Sequence, residues 1–161
     1  MFKQIALAAA LTLAAASASA ANATPFYAGV DVGTSEIDDY DDSLTSAGAF
    51  AGYRFNNNIA VEAGLRRLGK KEGATGDQLA LSAVFTGYAK GEWERLSLFA
   101  RLGVNRVNFD KCGSFCGEDK TSGLVGVGVG YDFTPTIAGR VEYQRPTSNT
   151  SNLSVGVAFG F

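Results

Sequence analysis

The last nine residues, Leu153-Ser154-Val155-Gly156-Val157-Ala158-Phe159-Gly160-Phe161, constrain the fold of this chain more than any other segment. Leu153, Val155, Val157, Phe159 and Phe161 alternate with Ser154, Gly156, Ala158 and Gly160. Successive side chains of a strand point to opposite faces, so the bulky apolar groups share one face and the tiny ones the other. A soluble sheet with one wet face would carry Lys, Glu or Thr there. Here the second face carries almost nothing, as suits the inside of a narrow barrel, and the apolar face is continuous enough to meet lipid. An ordinary core strand at the end of a soluble domain is the competing reading.

Seven further segments are strand-like. Phe26 to Ile37 sets Phe26, Ala28, Val30 and Val32 against Tyr27, Gly29, Asp31 and Gly33. An acidic hairpin, Asp38 to Asp42, leads into a segment from about Leu44 to Phe55, and Asn56 to Asn58 makes a tight turn. Ile59 to Leu68 sets Ile59, Val61, Ala63 and Leu65 against Ala60, Glu62, Gly64 and Arg66, and Lys70 to Gly76 reads as a loop. Gln78 to Ala89 has no clear phase. Leu96 to Phe109 sets Leu98, Ala100, Leu102 and Val104 against Phe99, Arg101 and Gly103. Thr121 to Phe133 sets Val125, Val127, Val129, Tyr131 and Phe133 against Gly126, Gly128, Gly130 and Asp132. Ile137 to Arg145 sets Ile137, Val141 and Tyr143 against Ala138, Arg140, Glu142 and Gln144, and Pro146 to Asn152 reads as a loop.

Tilted bilayer-crossing strands need about 9–11 residues, and an even number returns both ends to one side. Connections after the second, fourth and sixth segments average shorter than those after odd ones, the pattern of short periplasmic turns and longer outer loops. The expected fold is all-β: an eight-stranded antiparallel up-and-down transmembrane barrel.

The amino terminus marks the chain for export. Lys3, an apolar stretch from Ile5 to Ala16, and Ser17-Ala18-Ser19-Ala20 read as the three regions of a secretory signal peptide. The expected organisation is a cleaved leader, residues 1–20, and a barrel domain, residues 21–161; cleavage after Ala23 is the alternative junction. The apolar run is shorter than the roughly 20 residues of a spanning helix. Removing residues 1–20 takes away one lysine and leaves a net charge of about −3, which gives no support to nucleic-acid binding. There is no histidine in the chain, which removes the commonest general base and metal ligand. No cofactor and no metal are expected.

Asp31, Glu62, Arg66, Arg101, Asp132, Arg140 and Glu142 all fall opposite the apolar stripe of their own strands. In a membrane barrel that face is the interior, so charges of both signs meet inside and must pair, because an unpaired buried charge is prohibitive. The competing reading is the solvated face of a two-sided sheet.

Ser46 to Leu68, Leu98 to Gly103, Thr134 to Gln144 and Leu153 to Gly160 resemble the eight-stranded transmembrane domain of the OmpA family. The resemblance covers most of the mature chain and implies an outer-membrane barrel with a charge-paired interior and no wide channel. It places Glu62 and Arg140 where family members have an inward carboxylate and an inward Arg that can pair, and Arg101 at another inward Arg. Two positions depart from it: Phe85 stands where the family has an inward Lys, and Gly130 where it has an inward Glu. No peptidoglycan-binding domain is expected after the barrel. The end of the chain, Val155, Val157, Phe159 and Phe161, resembles the assembly signal of bacterial outer-membrane proteins. It implies the barrel assembly machinery as a partner during biogenesis.

Cys112 and Cys116 lie on one outer loop, and in an exported protein such a pair is expected to form a disulfide. The spacing is not C-x-x-C, and neither histidine nor a third cysteine supports zinc. The Asp38–Asp42 run reads either as a divalent-cation site or as a solvated hairpin tip. Arg67, Lys71 and Arg145 lie near outer strand ends, either in contact with lipid headgroups, lipopolysaccharide included, or placed generically at the interface.

The leading function is a structural outer-membrane barrel, monomeric, with both termini periplasmic and at most slow passage of small solutes or ions. An eight-stranded interior is just wide enough for side chains to fill. Catalysis is not expected, since barrel-type lipid-modifying enzymes and hydrolase triads use histidine. The alternatives are a soluble periplasmic ligand-binding barrel, which would reverse the assigned phase, and a small surface adhesin or receptor barrel.

Overall fold

Period-two alternation organises the whole computed structural model. Its strands are β1 (Phe26–Ile37), β2 (Tyr40–Arg54), β3 (Ile59–Lys71), β4 (Ala74–Tyr88), β5 (Leu96–Asp110), β6 (Lys120–Thr134), β7 (Ile137–Thr147) and β8 (Thr150–Gly160). Each pairs antiparallel with its chain neighbours, and β8 returns to β1 to close an up-and-down barrel. Closure leaves no strand edge unpaired. The structure describes residues 25–37, 40–71, 74–110, 120–147 and 150–161. The leader with both candidate junctions, the Asp38 and Asp39 end of the acidic run, and Cys112 and Cys116 lie outside the described residues.

The facing is that of a membrane barrel. Leu65 and Leu98 on the outer surface are 64% and 66% exposed, whereas Glu62 and Glu142 are 2% and 1% exposed. Val127, Val155 and Val157 stand outward, and Gly126, Gly128 and Gly156 are buried inside. A soluble barrel requires the reverse, so the ligand-binding soluble alternative is overturned by this inversion. β4 has a definite phase: Gln78, Ala80, Ser82 and Val84 are buried, while Leu79, Leu81 and Phe85 point out. Phe85 therefore does not occupy the inward position that the family resemblance assigned to it; its neighbour Val84 points inward.

Strands run further at the loop end than hydropathy implies. Tyr40 to Asp42 belong to β2, Lys70, Lys71 and Ala74 to Gly76 to β3 and β4, and Pro146, Thr147 and Thr150 to Asn152 to β7 and β8. Beyond the membrane both faces of a hairpin meet water, so alternation fades while backbone pairing continues. Pro146 is accommodated where the β7–β8 register shifts between Gln144 and Thr147, in keeping with the confinement of proline to edges and bulges. Its carbonyl accepts hydrogen bonds from Asn105 Nδ2 at 2.6 Å and Ser122 Oγ at 2.9 Å. At the turn end the connections are residues 55–58, 89–95 and 135–136. The loop-end connections, expected to be the longer set, include residues outside the described ones.

At the turn end, a 3-10 turn at Gly91–Trp93 links β4 to β5. Gly91 has φ 75°, a left-handed conformation that favours glycine.

Candidate functional site

Glycines make room for the large groups inside the barrel. Tyr27, Phe50 and Phe99 point inward, and each faces a glycine on the neighbouring strand: Gly52, Gly29 and Gly128 respectively. A Cβ at Gly29 would sit 2.2 Å from Phe50 Cζ, and one at Gly128 2.3 Å from Phe99 Cζ. The rings lie over these bare backbone positions. With Ala60, Val84 and Ala158 they form an apolar layer within the lumen.

Against this layer sits a four-membered ionic cluster. Glu62 on β3 accepts from Tyr27 Oη at 2.8 Å and from Arg140 Nη1 at 2.9 Å, and it pairs with Arg101 Nη2. Arg101 on β5 also approaches Glu142 on β7, with Nε 2.7 Å from Oε1, and donates from Nη1 to Ser82 Oγ at 3.1 Å. Arg140 Nη2 lies 3.6 Å from Glu142 Oε2. The Arg140 guanidinium is centred 3.4 Å from the Phe50 ring centroid, a cation–π contact out of water. Two carboxylates and two guanidiniums, drawn from β3, β5 and β7, thus cross the lumen at one level.

A second pair lies toward the loop end. Arg66 Nη2 is 2.8 Å from Asp31 Oδ1, and Arg66 also donates to Asn152 Oδ1. The Asn152 amide in turn donates to Ser46 Oγ at 2.7 Å, Ser35 Oγ at 2.9 Å and the Thr34 carbonyl at 3.0 Å. Asp31 stands between Gly48 and Gly156 of its two flanking strands, which leave room for the ion pair. Gln78, buried nearby, has no hydrogen-bond partner for either amide atom among the described residues.

Asp132 does not join these clusters. It is half-buried at the turn end, lining a cavity of about 300 Å³ with Arg54, Asn57, Tyr88 and Thr136, and among the described residues no ion pair holds it. Space of about 80 Å³ continues inward to Glu62 and Arg140, and about 20 Å³ lies on the far side beside Asp31, Arg66, Gln78 and Gln144. Arg54, Tyr27 and Phe50 were not anticipated as site residues. Tyr27 was legible as inward from its parity, but nothing in the sequence pointed to its bond with Glu62. Arg54 closes the turn-end side, its guanidinium 4.4 Å from the Tyr27 ring centroid.

Outside, Arg67 and Arg145 are exposed, and Arg67 Nε pairs with Asp77 Oδ1 at 3.0 Å. Lys71 is the last residue of β3, and its side chain lies outside the described set. Val155, Val157 and Phe159 form the outward face of β8; Phe161 follows the strand, its amide donating to the Phe26 carbonyl at 3.1 Å.

An apolar exterior around a polar, ion-paired interior defines a transmembrane β-barrel. The chain belongs to the family of the outer membrane protein beta-barrel domain, whose model matches residues 5–161. It is thus an integral protein of the outer membrane. No curated protein sequence matches it. Among solved structures it is similar to Neisserial surface protein A, at 24% identity over 87% of this chain and 99% of that one, with a TM-score of 0.60. The amino-terminal barrel of Pseudomonas aeruginosa OprF matches at 14% identity, 87% and 100% coverage and a TM-score of 0.62. Ail, the attachment invasion locus protein of Yersinia pestis, matches at 19% identity, 84% and 96% coverage and a TM-score of 0.56. These likenesses establish the shared eight-stranded fold.

Proposed function

We propose that this is a structural outer-membrane barrel whose lumen is kept closed by the Glu62–Arg101–Arg140–Glu142 cluster, allowing at most slow passage of small solutes or ions. The observation that carries the reading is the placement of four mutually paired charges, backed by Phe50 and Phe99, between the turn-end cavity and the small loop-end space. Moving an ion through that layer requires parting charges buried away from water, where replacing or removing one partner is costly. No catalytic role belongs to this reading: the chain has no histidine, and Glu62 and Glu142 are engaged by arginines.

In the same reading residues 1–20 are a leader removed after Ala20, Cys112 and Cys116 close a disulfide, and the barrel is a monomer. The turn end with both termini faces the periplasm. The β8 face of Val155, Val157 and Phe159, with terminal Phe161, is presented to the barrel assembly machinery, and the outer rim meets lipopolysaccharide. Each loop-end segment is short in the sequence, which disfavours the adhesin alternative.

Planar-bilayer recording of the refolded native barrel tests the closed lumen. The expected trace shows only rare, small openings. A large and steady conductance would remove the reading.

A further inference from the structure

The described inward charges fall into two sets. Asp31, Glu62, Arg66, Arg101, Arg140 and Glu142 are all ion-paired. Arg54 and Asp132 line one turn-end cavity, yet neither has an ion-pair partner among the described residues. Their placement explains this. Arg54 ends β2 and Asp132 lies near the end of β6, four strands apart in a closed ring of eight and therefore on opposite walls. Backbones across such a ring stand about 16 Å apart, from the strand spacing and tilt. An arginine arm and an aspartate arm together cover only part of that span.

Both charges are held in place. The Arg54 amide donates to the Pro25 carbonyl at 2.8 Å, and its guanidinium lies 4.4 Å from the Tyr27 ring centroid. The ring takes one flat face of the guanidinium and leaves its N–H edges open. Gly160 stands beside it: a Cβ there would sit 3.7 Å from Arg54 Nη1, so the bare backbone keeps that edge accessible. The Asp132 amide donates to the Arg95 carbonyl at 2.9 Å. Tyr88 closes the β4 side of the cavity, while Ala138 and Ala158 make its β7–β8 side apolar. The space between the two charges, about 300 Å³, is that of a small-ligand pocket. A lone anion would leave Asp132 unanswered there, and a lone cation would leave Arg54 so. A molecule with one charge of each sign answers both.

We propose that the turn-end cavity binds a short zwitterionic peptide, its carboxylate on Arg54 and its ammonium on Asp132. The planar guanidinium matches a carboxylate with two parallel hydrogen bonds. An extended dipeptide spans about 7 Å, in keeping with the reach left between the two arms, and its small side chains meet Ala138 and Ala158. The site lies on the turn-end side of the Glu62–Arg140 pair. Binding there needs no passage through the lumen and stands whether or not the lumen conducts.

An NMR titration of the isotope-labelled, folded barrel in non-ionic detergent tests it, with alanyl-alanine, its N-acetyl form and its C-terminal amide as probes. Alanyl-alanine is expected to shift the backbone amides of Arg54, Asp132 and Gly160 saturably. Each capped form, which lacks one of the two charges, should bind about tenfold more weakly. Arg54→Gln and Asp132→Asn should each weaken binding of alanyl-alanine by a similar factor. Glu92→Gln, at an exposed acid of the turn-end 3-10 segment, should change nothing. A gel shift on heating reports folding of each variant, and the capped peptides carry the test on the native barrel should a variant not fold. Absence of a saturable shift, capped peptides that bind as well as the free one, or folded Arg54 and Asp132 variants with native affinity would overturn the proposal.

Discussion

Glu62 ties three other strands to its own. Its carboxylate receives a phenol and two guanidiniums from three different strands, β1, β5 and β7, and it is 2% exposed. Such a group is stable only while its partners remain, because the desolvation it suffers is offset by their charge and hydrogen bonds. Glu62→Ala leaves Arg101 and Arg140 to share Glu142 as the one remaining carboxylate of the cluster. Arg140→Ala leaves Glu62 with Arg101 and Tyr27 alone. Each substitution is expected to lower stability by about 3–5 kcal/mol, read from urea unfolding in lipid vesicles. The double variant should cost clearly less than the sum, since the second deletion removes a charge that the first left unmatched. Strict additivity would mean that the two side chains do not interact.

Strands reveal both how far the sequence could be read and where reading failed. β6 and β8 pair bulky outward residues with glycine, alanine or serine inward, so their phase was plain from alternation alone. Replacing Val127, outward and midway along β6, by Arg is expected to cost about 2–4 kcal/mol, as for cations at the bilayer midplane. Vesicle unfolding measures it, and a cost near zero would place Val127 in water. β4 gave no such signal, and the reason is physical. Its inward Ala80 and Val84 border the apolar layer around Phe50 and Phe99, so both of its faces are hydrophobic. The inward position that the family resemblance gave Phe85 failed on the same strand, where Phe85 points out. Inward charges were recognisable because burial parity and charge coincide at Glu62, Arg101, Arg140 and Glu142. Which of them meet was not recognisable, because partners come from strands far apart in sequence and their encounter depends on barrel stagger.

At the scale of the molecule, the barrel wall and the ionic layer are separable structures. The wall is fixed by backbone pairing between all eight strands and by outward apolar groups, to which the four central charges contribute nothing. The layer consists of side chains whose charges sum to zero. Replacing Glu62, Arg101, Arg140 and Glu142 together by serine therefore leaves the net charge unchanged and strands no buried ion, unlike any single deletion. Serine is small enough to sit beside the glycine-lined positions, and its hydroxyl can be satisfied by water. The turn-end cavity and the space beside Gln78 should then join into one wet path along the lumen. The four-residue variant is expected to keep its heat-dependent gel shift, showing an intact wall, and to conduct steadily in a planar bilayer where the native barrel does not. An intact wall with unchanged conductance would show that Phe50, Phe99 and the Arg66–Asp31 pair close the lumen without the central charges. The barrier would then lie in packing and in the loop-end pair.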